Sequence, residues 1–237
     1  MNTVGVILAA GSGSRTGLST PKQFLPLGGK TVLEHSVQTF HNHPCIDELV
    51  IVVHKDYIDL VQSIVKQNGW NKVKAVLPGG KERFDSSLVA VRAYADHPDT
   101  VMLFHDAARP LVSERIITDA IKAMERFDAI DVAIPAVDTI VQCDKDGTYM
   151  TSIQDRSLLW RMQTPQGFRQ RVIEQAYIEA FKDPRFTATD DCGTVLRYLP
   201  GVKVGIVLGS ERNIKLTYAA DLSLLEFLLS TPEQNNN

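Results

Sequence analysis

Between Leu8 and Lys22 the chain reads Leu8-Ala9-Ala10-Gly11-Ser12-Gly13-Ser14-Arg15 and then, after five intervening residues, Pro21-Lys22. Small residues such as Ala9, Ala10, Gly11 and Gly13 let backbone N–H groups come close to phosphate oxygens. Arg15 and Lys22 add cations that can follow a triphosphate as negative charge builds up on it. Two glycines alone would mark only a tight strand-to-helix turn, so the arginine and the Pro-Lys pair carry the reading. A Walker loop would need Gly-Lys-Ser/Thr after four spacer residues, and a dinucleotide fingerprint would need a third glycine where this chain has Thr16.

Further along, His105-Asp106-Ala107-Ala108-Arg109-Pro110 follows the apolar run from Thr100 to Phe104. This puts its charges at the carboxyl end of a strand, where open α/β sheets bind ligands. A histidine beside an aspartate raises the possibility of a general base. Asp106 is also a carboxylate that could meet Mg²⁺ directly or through water. Gly79-Gly80-Lys81-Glu82-Arg83-Phe84-Asp85-Ser86 reads as a Gly-rich loop with Asp85 or Ser86 capping a helix, and Thr189-Asp190 as another helix N-terminus.

The elements that must position these groups alternate along the chain. Short apolar, β-branched runs at Val4–Leu8, Glu48–Val53, Val73–Leu77, Thr100–His105, Ala129–Pro135 and Val202–Leu208 predict strands, most of them buried on both faces. Helical spacing predicts helices at Val32–His41, around Ile58 to Val65, Asp85–Ala95, around Ile116 to Met124 with Ser113 as N-cap, Gln170–Phe181 and Ala219–Leu229. The class is α/β: a Rossmann-like, doubly wound and mostly parallel sheet within one domain over residues 1–231. Thr139–Cys143 and Thr148–Thr151 around an Asp-Gly turn break the rhythm and predict a β-hairpin arm at about 136–156. A lone ribbon is marginal in water, so a second subunit is expected to cover it. Residues 232–237 read as a disordered tail.

Bulk properties limit the function. A formal charge of −3 over 237 residues marks no general nucleic-acid or membrane binder, so anion binding must be local. No leader pattern surrounds Val4, and no apolar run approaches the roughly 20 residues that span a bilayer. Cys45, Cys143 and Cys192 are scattered, which argues against a disulfide framework or a thiolate zinc site. A cytoplasmic enzyme is expected.

Leu8 to Arg15 followed by Pro21-Lys22-Gln23-Phe24 resembles the signature of the sugar-phosphate nucleotidylyltransferases, in the cytidylyltransferase branch, and the later blocks agree in order and spacing. The resemblance implies a CTP site built from Ala9, Ala10, Gly11, Gly13, Arg15, Lys22, Gly80, Lys81, Ser86, Asp106 and Ala107, with the Ser86 hydroxyl at the cytosine edge. It implies an acceptor phosphate near Asp106, Arg109, Thr139, Arg156, Thr164 and Lys215, with Thr139 and Arg156 reaching across from the second subunit of a homodimer. Gln163 to Phe168 would line the pocket, and Thr189-Asp190-Asp191 would stand close to it. Arg15, Lys22 and Lys215 would carry the chemistry, together with Mg²⁺ or another divalent cation. The attacking group in such a reaction is already a phosphate oxyanion, so His105 is expected to be structural.

The family commonly has methionine where this chain has Thr16 and often an acidic residue at Lys81. The expected acceptor is methylerythritol phosphate, with a pentitol phosphate such as ribitol 5-phosphate as the alternative. Without the resemblance, Arg156 would read as a surface partner of Asp155. An NAD-binding reductase or a non-catalytic nucleotide sensor are the rival classes. The first is opposed by the absent third glycine and by the lack of a clear acidic residue closing the second strand at Val52-Val53-His54.

Overall fold

The first apolar run folds as a fully buried strand, β1 (Thr3–Ala9). The computed structural model describes residues 2–11, 20–188 and 190–231. The expectations for Gly13, Arg15, Thr16, Thr189 and the tail after Thr231 therefore lie outside the described residues. After Lys22 comes a two-stranded ribbon, β2 (Pro26–Leu27) and β3 (Lys30–Thr31), followed by α1 (Val32–Asn42). Thr31 and Glu34 cap α1 reciprocally: Glu34 N–H donates to Thr31 Oγ1 at 3.3 Å, and Thr31 N–H to Glu34 Oε2 at 2.8 Å. The chain continues through β4 (Glu48–Val53), α2 (Ile58–Gln67), β5 (Val73–Pro78), α3 (Arg83–Ala93), β6 (Val101–Asp106), α4 (Glu114–Ala123) and β7 (Ala129–Pro135). Ser113 caps α4 as the sequence predicts, accepting the Ile116 N–H at 3.4 Å.

Beyond β7 stand the hairpin strands β8 (Val141–Cys143) and β9 (Met150–Ile153), then β10 (Trp160–Arg169), α5 (Gln170–Ala180), α6 (Asp191–Tyr198), β11 (Val204–Leu208) and α7 (Ala220–Ser230). The seven-stranded sheet has the order β11-β7-β10-β6-β1-β4-β5. Its pairs are parallel except where β10 runs antiparallel to both β6 and β7.

Alternation along β1 assigns the two cores. Ile7 and Ala9 face Leu33, Val37 and Phe40 of α1, Val61 of α2 and Ile116 and Ile117 of α4. Val4, Val6 and Leu8 face Val91 of α3, Ile173 and Tyr177 of α5 and Val195 of α6. Helices thus cover both faces, which makes the sheet doubly wound as the patterning predicts. A third cluster joins Leu25, Leu27 and Val32 to Ala108, Leu216 and Leu225, docking α7 against β2 and the segment after β6.

Besides the unpredicted β2–β3 ribbon and α6, two elements differ from expectation. β10 is a ten-residue strand in the middle of the sheet that the sequence pattern hides. The hairpin is present, but β8 begins two residues later than the predicted Thr139–Cys143 and ends with it at Cys143, while β9 begins and ends two residues later than Thr148–Thr151. Its connection is longer than a two-residue Asp-Gly turn, because Asp144 Oδ1 accepts the N–H groups of Thr148 at 2.7 Å and Tyr149 at 3.0 Å. Gly147 takes φ +69° there, the left-handed conformation that favours glycine.

Candidate active site

The chain leaves β1 toward β4 on one side and returns on the other as β6, so a crevice opens at the carboxyl ends of β1 and β6. A cleft of about 270 Å³ occupies it. One wall is the segment after β1: Ala9, Ala10 and Gly11, with Lys22 and Gln23 behind. Gln23 is buried and fixes this wall, its Nε2 donating to the carbonyls of Ala9 at 2.8 Å and Gly11 at 3.2 Å.

The opposite wall is the loop entering α3, with Gly80, Lys81, Glu82, Arg83 and Ser86. Its glycines are required by close approach. A Cβ on Gly79 would stand 2.4 Å from the Ala10 Cβ, and one on Gly80 would stand 2.2 Å from the Asp85 Cβ. Asp85 accepts the Glu82 N–H at 3.0 Å, so it stabilises the helix start from inside the first turn. Ser86 Oγ accepts the Gly80 N–H at 3.3 Å and donates to the Glu82 carbonyl at 3.4 Å, which shapes the loop.

Asp106 and Ala107 form the floor, and Lys215 and Thr217 close the far end. Lys22, Lys81, Arg83 and Lys215 thus stand against Glu82 and Asp106, a local excess of positive charge on a chain whose formal charge is −3. Arg83 Nε donates to Asp106 Oδ1 at 3.2 Å and Lys215 Nζ to Asp106 Oδ2 at 2.6 Å. Burial alone would raise the Asp106 carboxyl, but Arg83 and then Lys215 outweigh it and hold the group well below the usual carboxylate range. Lys22 Nζ donates to the Leu216 carbonyl at 2.9 Å, and Leu216 N–H donates to the Ala108 carbonyl at 2.8 Å. The segment after β11 is thereby tied to both strand ends.

Beneath the floor, His105 is fully buried. Its Nε2 lies 3.1 Å from the Arg109 carbonyl, so that nitrogen carries the proton and Nδ1 accepts from Thr164 Oγ1 at 2.9 Å. Thr164 Oγ1 in turn accepts the Asp106 N–H at 3.2 Å. Burial pushes the imidazole down to about 4, so it is neutral and holds structure, as expected from the sequence. Thr164, expected beside the acceptor, spends its hydroxyl inside this chain of bonds and is buried.

Arg109 points elsewhere, donating to the carbonyls of Asn213 at 2.6 Å and Met162 at 3.3 Å. Its buried Nε has no partner among the described residues. Thr139 and Arg156 lie on the exposed arm, away from the cleft lining. Arg156 donates to the Val137 carbonyl at 2.9 Å, while Asp155 accepts from Ser157, so the surface pair with Asp155 is not made.

Of the expected nucleotide residues, Ala9, Ala10, Gly11, Lys22, Gly80, Lys81, Ser86, Asp106 and Ala107 share one cleft. Sequence reasoning gave Arg83 no role of its own and placed Gln166 only in the pocket lining and Asp191 only close to it; the three are bonded to one another as the polar layer next to the cleft. Asp190 caps α6 by accepting the Gly193 N–H at 2.7 Å, and the following Asp191 is buried against Arg83. Among the described residues, no three His, Cys, Asp or Glu side chains converge as a metal site. No helix among them is long and apolar enough to cross a membrane.

Residues 3–231 match the family model described as IspD: 2-C-methyl-D-erythritol 4-phosphate cytidylyltransferase. A 2-C-methyl-D-erythritol 4-phosphate cytidylyltransferase of Thermobifida fusca (strain YX) is 47% identical over 229 residues, covering 95% of this chain and 92% of the relative. A bifunctional ribulose 5-phosphate reductase/CDP-ribitol pyrophosphorylase of Haemophilus influenzae is 42% identical over 229 residues, covering 96% of this chain and 48% of that protein. Among solved structures, the 4-diphosphocytidyl-2C-methyl-D-erythritol synthase of Anaerococcus prevotii DSM 20548 superposes with a TM-score of 0.85 at 28% identity, covering 97% of this chain and 96% of that one.

Proposed function

The chain belongs to the 2-C-methyl-D-erythritol 4-phosphate cytidylyltransferase family, and from that membership we propose that it transfers CMP from CTP to 2-C-methyl-D-erythritol 4-phosphate. The products are 4-diphosphocytidyl-2-C-methyl-D-erythritol and pyrophosphate, a step of isoprenoid precursor synthesis. The observation that carries this reading is the cleft at the ends of β1 and β6, walled by close-packed Gly-rich backbone and ringed by Lys22, Lys81, Arg83 and Lys215.

The acceptor's phosphate oxygen attacks the α-phosphorus of CTP in line, and pyrophosphate leaves opposite. The nucleophile is already an oxyanion, which agrees with a buried neutral His105 that plays no acid–base part. The protein's work is positioning and charge neutralisation. Lys22 and Lys215, with Arg15 between β1 and Lys22 in the sequence, meet the phosphates, while Gly80 and Ser86 present backbone and hydroxyl groups to the base.

Both oxygens of Asp106 already hold cations, and no carboxylate cluster accompanies it among the described residues. A magnesium ion would therefore come with the triphosphate rather than be held by a carboxylate cage, and Asp106 is the residue that would meet it. Mg²⁺ would neutralise phosphate charge there.

The acceptor phosphate is assigned to Arg109, supported by its unpartnered buried Nε, together with Thr139 and Arg156 of a second copy of the chain. The arm supports a homodimer because it is apolar and bare: Tyr149 is 65% exposed, Ile153 67% and Leu158 77%. Apolar patches of that kind mark interaction surfaces.

A second acceptor reading, a pentitol phosphate, is favoured by one observation, the likeness to the bifunctional CDP-ribitol pyrophosphorylase. Pyrophosphate release from CTP, measured against a panel of polyol phosphates, tests the proposal. Release that depends on methylerythritol phosphate supports it, whereas CTP binding without release would make the protein a nucleotide sensor.

A further inference from the structure

Asp106 has two cationic partners, and they are held very differently. Lys215 reaches it from a loop, as a point charge on a flexible stem with a side chain 34% exposed. Arg83 is 22% exposed and leaves none of its three nitrogens idle. Nε donates to Asp106 Oδ1 at 3.2 Å, NH1 to the buried Asp191 Oδ2, and NH2 to Gln166 Oε1 at 3.2 Å. These partners come from β6, α6 and β10, so the guanidinium cannot turn without breaking bonds to two other elements.

Its anchors are themselves fixed. Asp191 also accepts from Ser87 Oγ at 3.0 Å and from the Tyr177 hydroxyl, and Gln166 Nε2 donates to Asp131 Oδ1 at 3.0 Å. Within the layer the two cations Arg83 and Lys215 pair with the buried carboxylates Asp106 and Asp191, and the buried Asp131 stands beyond Gln166.

We infer that Arg83 is a positioning residue: as the fixed counter-ion of Asp106, it leaves Lys215 exchangeable for the incoming triphosphate. When a polyanion enters, Lys215 can swing from Asp106 to a phosphate, because Asp106 keeps Arg83. Without Arg83, Lys215 would be the remaining cation in direct contact with Asp106, with Arg109 acting from further off. A carboxylate in a partly dry site would then compete with the phosphates for that ammonium. Arg83 therefore acts through Asp106 and Lys215, and its place in the cleft wall follows from that task.

This inference rests on the cytidylyl-transfer reading, and a double-mutant cycle read by CTP binding tests it separately. CTP affinity is measured by calorimetry, and turnover by pyrophosphate release, for the native protein, Arg83→Gln, Asp106→Asn and the double variant, with thermal melts to confirm folding. Arg83→Gln is expected to weaken CTP binding about tenfold, but less than about threefold when Asp106 is already Asn, because no carboxylate then competes for Lys215. An equal loss in both backgrounds, or unchanged CTP affinity in a folded Arg83→Gln protein, would overturn it. Arg83→Lys keeps the charge but cannot span three partners. It is run through the same cycle should the glutamine variant not fold, and again a loss that survives in the Asp106→Asn background would refute the inference. Failure of the native protein to bind CTP or release pyrophosphate would instead sink the transfer reading itself.

Discussion

Lys215 Nζ donates to Asp106 Oδ2 at 2.6 Å, joining residues 109 positions apart across the end of the nucleotide cleft. The bond brings the segment after β11 over the strand that carries Asp106, and the Lys22 bond to the Leu216 carbonyl ties the same segment to the loop after β1. Three distant stretches of chain thus share one charged site.

Removing a preorganised cation from such a site costs on the order of 3 kcal/mol in the barrier, roughly a hundredfold in rate. Lys22→Ala is expected to lower kcat by about that factor, and Arg15→Ala to act in the same direction. The bond of Lys22 to the Leu216 carbonyl is itself worth about 1 kcal/mol, so turnover is expected to fall far more than stability. Steady-state kinetics beside thermal melts check this, and near-normal turnover in folded variants would remove both residues from the chemistry.

Thr164 separates a binding role from a structural one. Its hydroxyl accepts from the Asp106 backbone and donates to His105, all within a buried layer. Thr164→Val strands two buried polar groups and should cost about 2 kcal/mol, a fall in Tm of roughly 4–8 °C for a domain of this size. Thr164→Ser should restore most of it. A valine variant with native Tm but a raised KM for the acceptor would return Thr164 to the binding residues.

Stability should respond to pH through two buried groups of opposite sign. His105 titrates near 4 rather than 6.5, because burial disfavours its cation. The unfolded chain therefore binds the extra proton between those values, and this contribution is lost as pH falls. Asp131 is pushed up to about 7 from 3.8 by burial, with Asp190 adding to it, so the folded chain holds the extra proton and stability is lost as pH rises. The two slopes oppose each other from about pH 4 to 6.5. Asp131→Asn removes one of them: Tm should climb more steeply with pH over that range and exceed the native value at pH 8. The gain there should be on the order of 4 kcal/mol. Melts at pH 5 and pH 8 decide it, and a variant less stable than native at pH 8 would show that Asp131 is not a buried, reluctant anion.

Much of this was legible in the sequence, for physical reasons. β1, β4, β6 and β7 are apolar on both faces, and Ser113 is followed at once by a helical period, so local pattern suffices to place them. β10 was hidden because Gln163, Thr164 and Gln166 point polar groups inward to Ser210, His105 and Arg83 around Pro165, which erases strand periodicity. α6 has eight residues, too few for a clear apolar stripe, and only its capping Asp190 could be suspected. Arg83 was visible only as part of a Gly-rich block. Its partners lie 23, 83 and 108 residues away, so no spacing rule reaches them.

The arm predicts a shared site. An Arg156→Ala subunit supplies an intact Lys22, and a Lys22→Ala subunit supplies an intact Arg156. Mixing the two inactive proteins under conditions of subunit exchange should restore about a quarter of native activity: half of the dimers are hybrids, and each hybrid has one complete site of two. Mass measurement confirms that hybrids form, and hybrids without activity would place Arg156 outside the partner's site.

Acceptor choice is the most direct test of the function. The ratio of kcat/KM for 2-C-methyl-D-erythritol 4-phosphate to that for ribitol 5-phosphate, at saturating CTP, is expected to be about a hundred or more, a difference of roughly 3 kcal/mol in transition-state binding. A ratio at or below one would contradict methylerythritol phosphate as the acceptor and assign the chain to pentitol phosphates instead.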